Sequence, residues 1–202
     1  MQNHESKNNL TEQDFENEVR LNQLYLSIIS KYKDYIEQKE QKSLNDLISL
    51  IMPTNEIVAA KANSIKQHFQ NYDYNRHFYN ASILAFEYVK KNIKNIIMPI
   101  RYWLTPDETI LFGLGDIIDK NILLASLLIA LGNHSTKVLL IESSNNEKLY
   151  TYCEFKNKII IFDVNNEITI NHNLNEFIKN LNIKDDANIY SFNDLGSNNI
   201  EF

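Results

Sequence analysis

The chain has 202 residues, of which 44% are hydrophobic and 23% are charged, which is enough apolar sequence for one sizeable core. Its formal net charge is −6 and no basic patch is interleaved with aromatic residues, so nucleic acid is excluded as the expected partner. The single cysteine, Cys153, excludes an intramolecular disulfide and a thiolate metal cluster and fits a reducing compartment, so we expect a cytoplasmic protein.

The N-terminal quarter is predicted to be a polar tail followed by a helical segment. Residues 1–10 have no apolar signal-peptide core and are expected to be disordered. A helix from Thr11 to about Gln41 is predicted, and the N-terminal helical segment spans residues 11–52. Its apolar residues are spaced by four and three positions and are Leu21, Tyr25, Ile28, Tyr32 and Tyr35. This stripe is expected either to dock on the domain or to serve as an arm for a partner or for self-association.

Several short helices are predicted next. One covers residues 43–51 and ends at Pro53, because the residue before a proline disfavours the helical conformation. A second is capped by Thr54, a third covers about residues 77–92, and a brief one, capped by Thr105 or Asp107, ends near Leu111.

The segment Gly113–Gly132 is predicted to be a tight turn feeding a buried central helix. Residues 117–131 are apolar on nearly every side, as expected for a helix in the middle of a core. Asp116 and Asp119 stand at the helix start, where carboxylates cap free N–H groups and favour the dipole. The apolar run is too short to span a bilayer, so no membrane partner is expected.

The C-terminal part changes to a strand pattern. Strands are predicted over 137–142, 148–155 and 158–163, the last two forming a hairpin, with a short helix over 173–181 and a final strand over 188–192. Helices come first and an antiparallel sheet follows, so the predicted class is α+β.

Two stretches around the central helix carry a family resemblance. Gly115-Asp116-x-x-Asp119-Lys120 is followed by Leu123-Leu-Ala-Ser-Leu-Leu128, and Trp103-Leu-Thr-Pro-Asp-Glu-Thr109 precedes them. This pattern resembles the transglutaminase-like superfamily, the papain-like cysteine fold, particularly its bacterial and archaeal members. The resemblance covers roughly residues 53–165, and residues 53–202 are accordingly identified as a transglutaminase-like domain.

The resemblance implies a catalytic triad that this chain lacks. In the family a Cys opens the central helix, a His lies on a strand and an Asp follows on the neighbouring strand. These positions fall on Ile117, Tyr150 and Asp163, and Tyr152 and Glu154 match the aromatic and acidic positions after the His. Ile117 has no lone pair, and a tyrosine with a pKa near 10 is a poor base at neutral pH.

The resulting prediction is a catalytically inactive domain that binds a protein or peptide and needs no cofactor or metal. The expected binding groove lies between the helical lobe and the sheet. Its lining residues are predicted to be Trp103, Asp116, Ile117, Tyr150, Tyr152 and Asp163. Cys153, on the other face of its strand, is expected to point away from this groove and to be a buried core residue.

Three alternatives remain open from the sequence. The first is an active cysteine-type peptidase, amide hydrolase or crosslinking enzyme that uses a non-standard residue, with Cys153 and Ser126 as the candidates. The second is a metal site formed by Asp116, Asp119 and Asp163, whose oxygen ligands suit Mg²⁺ or Ca²⁺. The third is a purely structural subunit of a larger assembly.

Overall fold

The computed structural model describes residues 12–39, 43–100, 102–143, 146–181, 183 and 187–200. The predicted disordered tail and the predicted cap Thr11 therefore lie outside the described residues. The described chain divides into two compact units. Helix α1, Glu12–Lys39, lies in the smaller unit with residues 98–100 and 102, and all the other elements lie in the larger one.

The apolar stripe of α1 is exposed. Its five residues are each between 45% and 63% exposed to solvent. The neighbouring Leu24 and Leu26 are 54% and 51% exposed. Most helices of globular proteins bury such a stripe, because burial of the apolar face supplies most of their stability.

Four helices open the larger unit, and their caps explain where they begin. They are α2, Leu44–Ser49; α3, Glu56–Lys66; α4, Tyr74–Asn92; and α5, Pro106–Phe112. The prediction that Thr54 caps α3 is wrong by one residue, since the Asn55 side chain accepts hydrogen bonds from the N–H groups of Ile57 and Val58. Helix α4 starts three residues earlier than predicted because Asp73 caps it. Thr105, in a reciprocal capping box with Glu108, starts α5.

Helix α6, Ile117–Ala130, is the centre of the larger unit. All twelve residues from 118 to 129 are buried, as the apolar sequence predicts. Gly113, with a φ of 63°, ends α5 in the left-handed conformation and allows the chain to turn into α6. Just before α6, strand β2, Leu114–Gly115, pairs in parallel with β1, Lys94–Asn95, which follows α4.

The C-terminal part forms a six-stranded antiparallel sheet in the order β6-β5-β4-β3-β7-β8. The strands are β3, Lys137–Ser143; β4, Asn146–Phe155; β5, Lys158–Phe162; β6, Ile168–Asn171; β7, Asn188–Asn193; and β8, Gly196–Asn199. Lys156 and Asn157 both adopt a positive φ in the two-residue β4–β5 turn, which is the geometry of a tight hairpin. The edge strands β6 and β8 were not predicted. Both are short and largely exposed.

Each face of the sheet is covered. Cys153, Ile160 and Phe162 join a core cluster with α3, α4 and α6, and Leu149 joins a second cluster with α2 and α6. On the opposite face, Tyr150 and Tyr152 pack with the short helix α7, Leu174–Asn180. The predicted α+β class, with N-terminal helices, a buried central helix and a C-terminal antiparallel sheet, is confirmed. Among the described helices, none combines the length and apolarity needed to cross a bilayer.

Candidate functional site

The start of α6 is held by two carboxylates that cap each other's backbone. Asp116 Oδ1 accepts hydrogen bonds from the N–H groups of Ile118 at 2.7 Å and Asp119 at 2.9 Å. Asp119 Oδ2 accepts one from the N–H of Asp116 at 2.9 Å. This is the capping role predicted from the sequence, and it satisfies donors that an uncapped helix leaves free.

Asp119 also anchors a preceding segment of the chain. Its Oδ1 accepts a hydrogen bond of 2.9 Å from the N–H of Leu104, fifteen residues earlier. The side chain is 1% exposed, and burial together with the charge of Asp116 raises the pKa of Asp119 to about 6. One buried carboxylate therefore ties the Trp103–Thr105 linker to the first turn of the central helix.

Ile117 occupies the first position of α6. It is half-buried and packs against both core clusters that surround the helix. A thiol here would be stabilised as a thiolate by the helix dipole. A hydrocarbon side chain gains nothing from that field and offers no nucleophile.

The residue of β4 that faces this part of α6 is Thr151. Its Oγ1 donates to the Asn121 side-chain oxygen at 2.9 Å, with the Asn121 carbonyl oxygen at 3.1 Å. The Asn121 Nδ2 in turn donates to the carbonyl oxygen of Ile117 at 2.8 Å. A chain of hydrogen bonds thus joins β4 to the first residue of α6 through Asn121, whose role had no distinct signal in the sequence.

The predicted position of Tyr150 opposite Ile117 is wrong. Successive residues of a strand point to opposite faces, and Thr151 points to α6, so Tyr150 points to the other side. There its ring packs edge-on against Phe177 of α7, with the centroids 5.1 Å apart. Burial and the nearby Asp163 carboxylate raise the pKa of Tyr150, so its hydroxyl stays protonated at neutral pH.

Asp163 lies across from Tyr150 but is used in a turn. Its carboxylate accepts hydrogen bonds from the backbone N–H groups of Asn165 and Asn166 and from the Asn166 side chain, at 2.8–3.2 Å. Its carboxylate caps this turn, and no hydrogen bond joins it to Tyr150 among the described residues. Tyr150 and Asp163 therefore meet on the α7 face of the sheet, whereas Ile117 is on the α6 side.

The remaining predicted groove residues are also separated. Trp103 packs on the cluster shared by α2 and α6. The Tyr152 hydroxyl is 2.7 Å from the Ser191 hydroxyl, on the α7 face. The six predicted lining residues thus divide between the two sides of the sheet, and the predicted groove between helices and sheet is not formed by them.

Neither alternative nucleophile is accessible. Cys153 is a fully buried core residue, as predicted, but it points toward the helices, not away from them. Burial and the nearby Glu154 raise the pKa of its thiol to about 12, which suppresses the reactive thiolate. Ser126 is also fully buried; its hydroxyl donates to the Ile122 carbonyl at 2.8 Å and accepts from the Met52 N–H at 3.0 Å.

The three aspartates weighed as a metal site do not converge. Asp116 and Asp119 cap α6, and Asp163 caps the turn after β5. Within the described residues, no group of three or more His, Cys, Asp or Glu side chains could hold a metal ion.

Sequence reasoning missed the burial of Lys120. Its side chain is 4% exposed and has no hydrogen-bond or ion-pair partner among the described residues. Burial lowers the pKa of Lys120, because an ammonium is poorly solvated there. The long aliphatic stem makes such burial possible, and only the neighbouring apolar residues in the sequence could have signalled it.

Comparison with known proteins gives a weak structural likeness. No family model and no curated protein matches the chain. Three solved structures of Legionella pneumophila LapG are similar to it. The EGTA-treated form is 19% identical over 71% of this chain and 86% of that chain, with a TM-score of 0.44. The calcium-bound form is 20% identical over 71% and 90%, with a TM-score of 0.43, and a third structure is 20% identical over 67% and 83%, with a TM-score of 0.39. At these values the likeness assigns no activity to this chain.

Proposed function

We propose that residues 53–202 form a transglutaminase-like domain that has lost its catalytic residues and acts as a protein- or peptide-binding or assembly module. The observation that carries the proposal is the hydrocarbon side chain of Ile117 at the first position of α6. Tyr150, at the position assigned to the base, packs on the far face of the sheet. The site proposed to have held a nucleophile and a base now holds neither.

The burial of Cys153 and Ser126 argues against the rival enzyme. A displaced nucleophile must reach its substrate and must be activated by a neighbouring base or a lowered pKa. Both side chains are fully buried, and the pKa of Cys153 is raised instead of lowered. We further propose, from the charge, the composition and the single cysteine of the sequence, a cytoplasmic binding protein that uses no cofactor and binds neither nucleic acid nor membrane.

A thiol probe combined with an amide panel tests the loss of catalysis. We expect iodoacetamide to leave Cys153 of the folded protein unlabelled at pH 8, and we expect no hydrolysis or amine crosslinking of glutamine-containing peptides. The Cys153→Ala variant is the matched control and should behave identically. Labelling of Cys153 with turnover that disappears in Cys153→Ala would establish the enzyme instead.

The exposed stripe of α1 is the proposed surface for self-association. Leu21, Tyr25 and Ile28 would pair with a second copy of α1 as a short heptad seam. Sedimentation equilibrium should detect a dimer of the wild-type chain. The Ile28→Lys variant should raise its dissociation constant by at least about ten-fold, because a charge in the seam is poorly solvated. The exposed polar change Asn22→Lys controls for added charge. Even weak pairing should show at about 0.5 mM, which is near the upper practical concentration. A wild-type chain that stays monomeric there would contradict self-association through α1.

A further inference from the structure

A cavity of about 390 Å³ opens on the α7 face of the sheet. Its floor is formed by Tyr150 of β4, Ile161 of β5 and Thr169 of β6. Ile161 pairs with Thr169 and with Tyr152, and Tyr150 lies two residues before Tyr152, so all three point to the same side of the sheet. Phe177 of α7 forms one wall, and the turn after β5 forms the other. The volume is within the range of pockets that hold small ligands or single side chains.

The charge of this cavity has one sign. Asp163 and Glu167 line it, and the described lining residues include no Lys, Arg or His. Lys90 of α4 donates to the carbonyl oxygen of the lining residue Asn166 but does not itself line the cavity. A cationic group entering the cavity would therefore meet two carboxylates without a resident competitor in the lining.

Tyr150 brings a polar group without a hydrogen-bond partner to the lining of this cavity. Tyr150 is 9% exposed, and its hydroxyl has no hydrogen-bond partner among the described residues although it lines the cavity. The oxygen atom itself is not one of the buried side-chain atoms left without a partner, so it stays open to solvent. A hydroxyl can both donate and accept, so a ligand that enters the cavity can pair with it.

The aromatic walls select an organic cation over a metal ion. Tyr150 and Phe177 meet edge-on at 5.1 Å, and rings of this kind attract ammonium and guanidinium groups. A divalent metal would need more oxygen ligands than two carboxylates in a half-apolar cavity, and no described group of three such ligands exists.

The free edge of the sheet indicates the source of the cation. Strand β6 pairs only with β5 among the described strands, so its outer edge is open to an added extended segment. A segment paired there would direct the side chain opposite Thr169 to the α7 face, over the cavity.

We propose that this cavity binds the lysine or arginine side chain of a partner polypeptide that pairs with β6. The proposal rests on the proposed binding function and names the chemistry of its partner. The side-chain ammonium or guanidinium would lie between the Asp163 and Glu167 carboxylates and donate to the Tyr150 hydroxyl, and its aliphatic stem would lie along Phe177.

Titration by NMR of the full chain with capped pentapeptides tests this. We expect Ac-Val-Thr-Lys-Thr-Val-NH₂ to bind with a Kd in the millimolar range and to shift the signals of β6 and α7. The matched peptide with norleucine in place of lysine should bind at least about five-fold more weakly, the effect of one partly desolvated charge contact. The peptide with glutamate should not bind. Butylammonium, the free-amine source of the same chemistry, should bind more weakly than the lysine peptide because it lacks the backbone pairing.

Variants separate the pocket from general electrostatics. Glu167→Gln and Tyr150→Phe should each weaken the lysine peptide by about three-fold or more. Glu142→Gln, which removes an exposed carboxylate on β3 outside the cavity, should leave binding unchanged. The proposal would be overturned if the lysine peptide does not bind up to about 20 mM, which is on the order of the weakest affinity such a contact gives. It would also be overturned if the norleucine peptide binds equally well, or if Glu167→Gln and Glu142→Gln weaken binding equally. Equal binding of butylammonium would overturn the polypeptide source.

The turnover assay of wild type against Cys153→Ala, run beside the titration, distinguishes this failure from failure of the proposed function. If the peptide binds but Cys153-dependent turnover is found, the cavity assignment stands and the inactive assignment fails. If neither binding nor turnover is found, the cavity assignment alone fails.

Discussion

Replacing Asp119 with alanine is expected to lower the free energy of unfolding by roughly 2–4 kcal/mol at pH 5. The change removes the acceptor of two backbone N–H groups, those of Leu104 and Asp116, each at 2.9 Å. Because Asp119 is 1% exposed, water replaces these bonds poorly unless the linker moves away from α6. Urea unfolding followed by circular dichroism measures the loss. Equal m-values for wild type and variant show that the change lowers stability and does not alter the surface exposed on unfolding.

The matched control is Asp107→Ala. Asp107 also lies in the first turn of a helix, α5, but it is half-buried, and within the described part of the chain no hydrogen bond or ion pair ties its side chain to a distant segment. Its loss should cost no more than about 1 kcal/mol through the helix dipole. Equal costs for the two variants would contradict the anchoring role of Asp119.

The pH dependence of the Asp119 contribution has a definite sign. Its pKa is raised by burial, and by Asp116, from 3.8 to about 6, so the folded protein retains a proton that the unfolded chain releases between these values. Stability from this group is therefore complete below pH 3.8 and is lost as the pH rises through about 6. The difference in unfolding free energy between wild type and Asp119→Ala should shrink by at most about 3 kcal/mol from pH 4 to pH 7. A difference that grows over this range would contradict the raised pKa.

The central helix and the sheet strands were the predictable part of the fold. Helix α6 is apolar on all sides and is bounded by two carboxylates and by Gly132, whose φ of 108° suits only glycine well. Strands β3, β4 and β5 carry long β-branched and aromatic runs. The strands missed in the six-stranded sheet, β6 and β8, are only four residues each. The Ile-Thr-Ile-Asn sequence of β6 alternates but is too short to stand out, and the Gly-Ser-Asn-Asn sequence of β8 carries no large apolar residue.

The candidate site was predicted less well because a one-residue shift along β4 decides which of its side chains face α6. A shift of one residue moves every side chain of a strand to the opposite face. The match of Tyr152 and Glu154 to the aromatic and acidic positions of the family favoured the register in which Tyr150 faces α6. The structure instead places Thr151 and Cys153 there, where the small side chains fit against the close-packed helix. Both faces of this sheet are buried, so β4 is apolar on both sides and its sequence carries little information about which face meets α6.

A thiol placed at position 117 is expected to reveal the register directly. In a Cys153→Ala background, Ile117→Cys should titrate below the usual pKa of about 8.5, because it lies at the first position of a 14-residue helix. Adding Thr151→His with Asn121→Ala should lower the thiol pKa further, to below about 7, by pairing the thiolate with an imidazolium. The Asn121→Ala change frees the space that the larger imidazole needs, since Asn121 now bridges Thr151 and Ile117.

Tyr150→His in the same Ile117→Cys background is the matched comparison. That imidazole would lie beside Phe177 on the far face of the sheet and should leave the thiol pKa unchanged. The rate of alkylation by iodoacetamide between pH 5 and pH 10, localised by mass spectrometry, reports each pKa. At pH 6 the variant with His at position 151 should react at least about ten-fold faster than the variant with His at position 150, because one pKa unit changes the thiolate fraction ten-fold. The opposite order would mean that β4 presents Tyr150 to the central helix, and it would return the predicted groove residues to a single site.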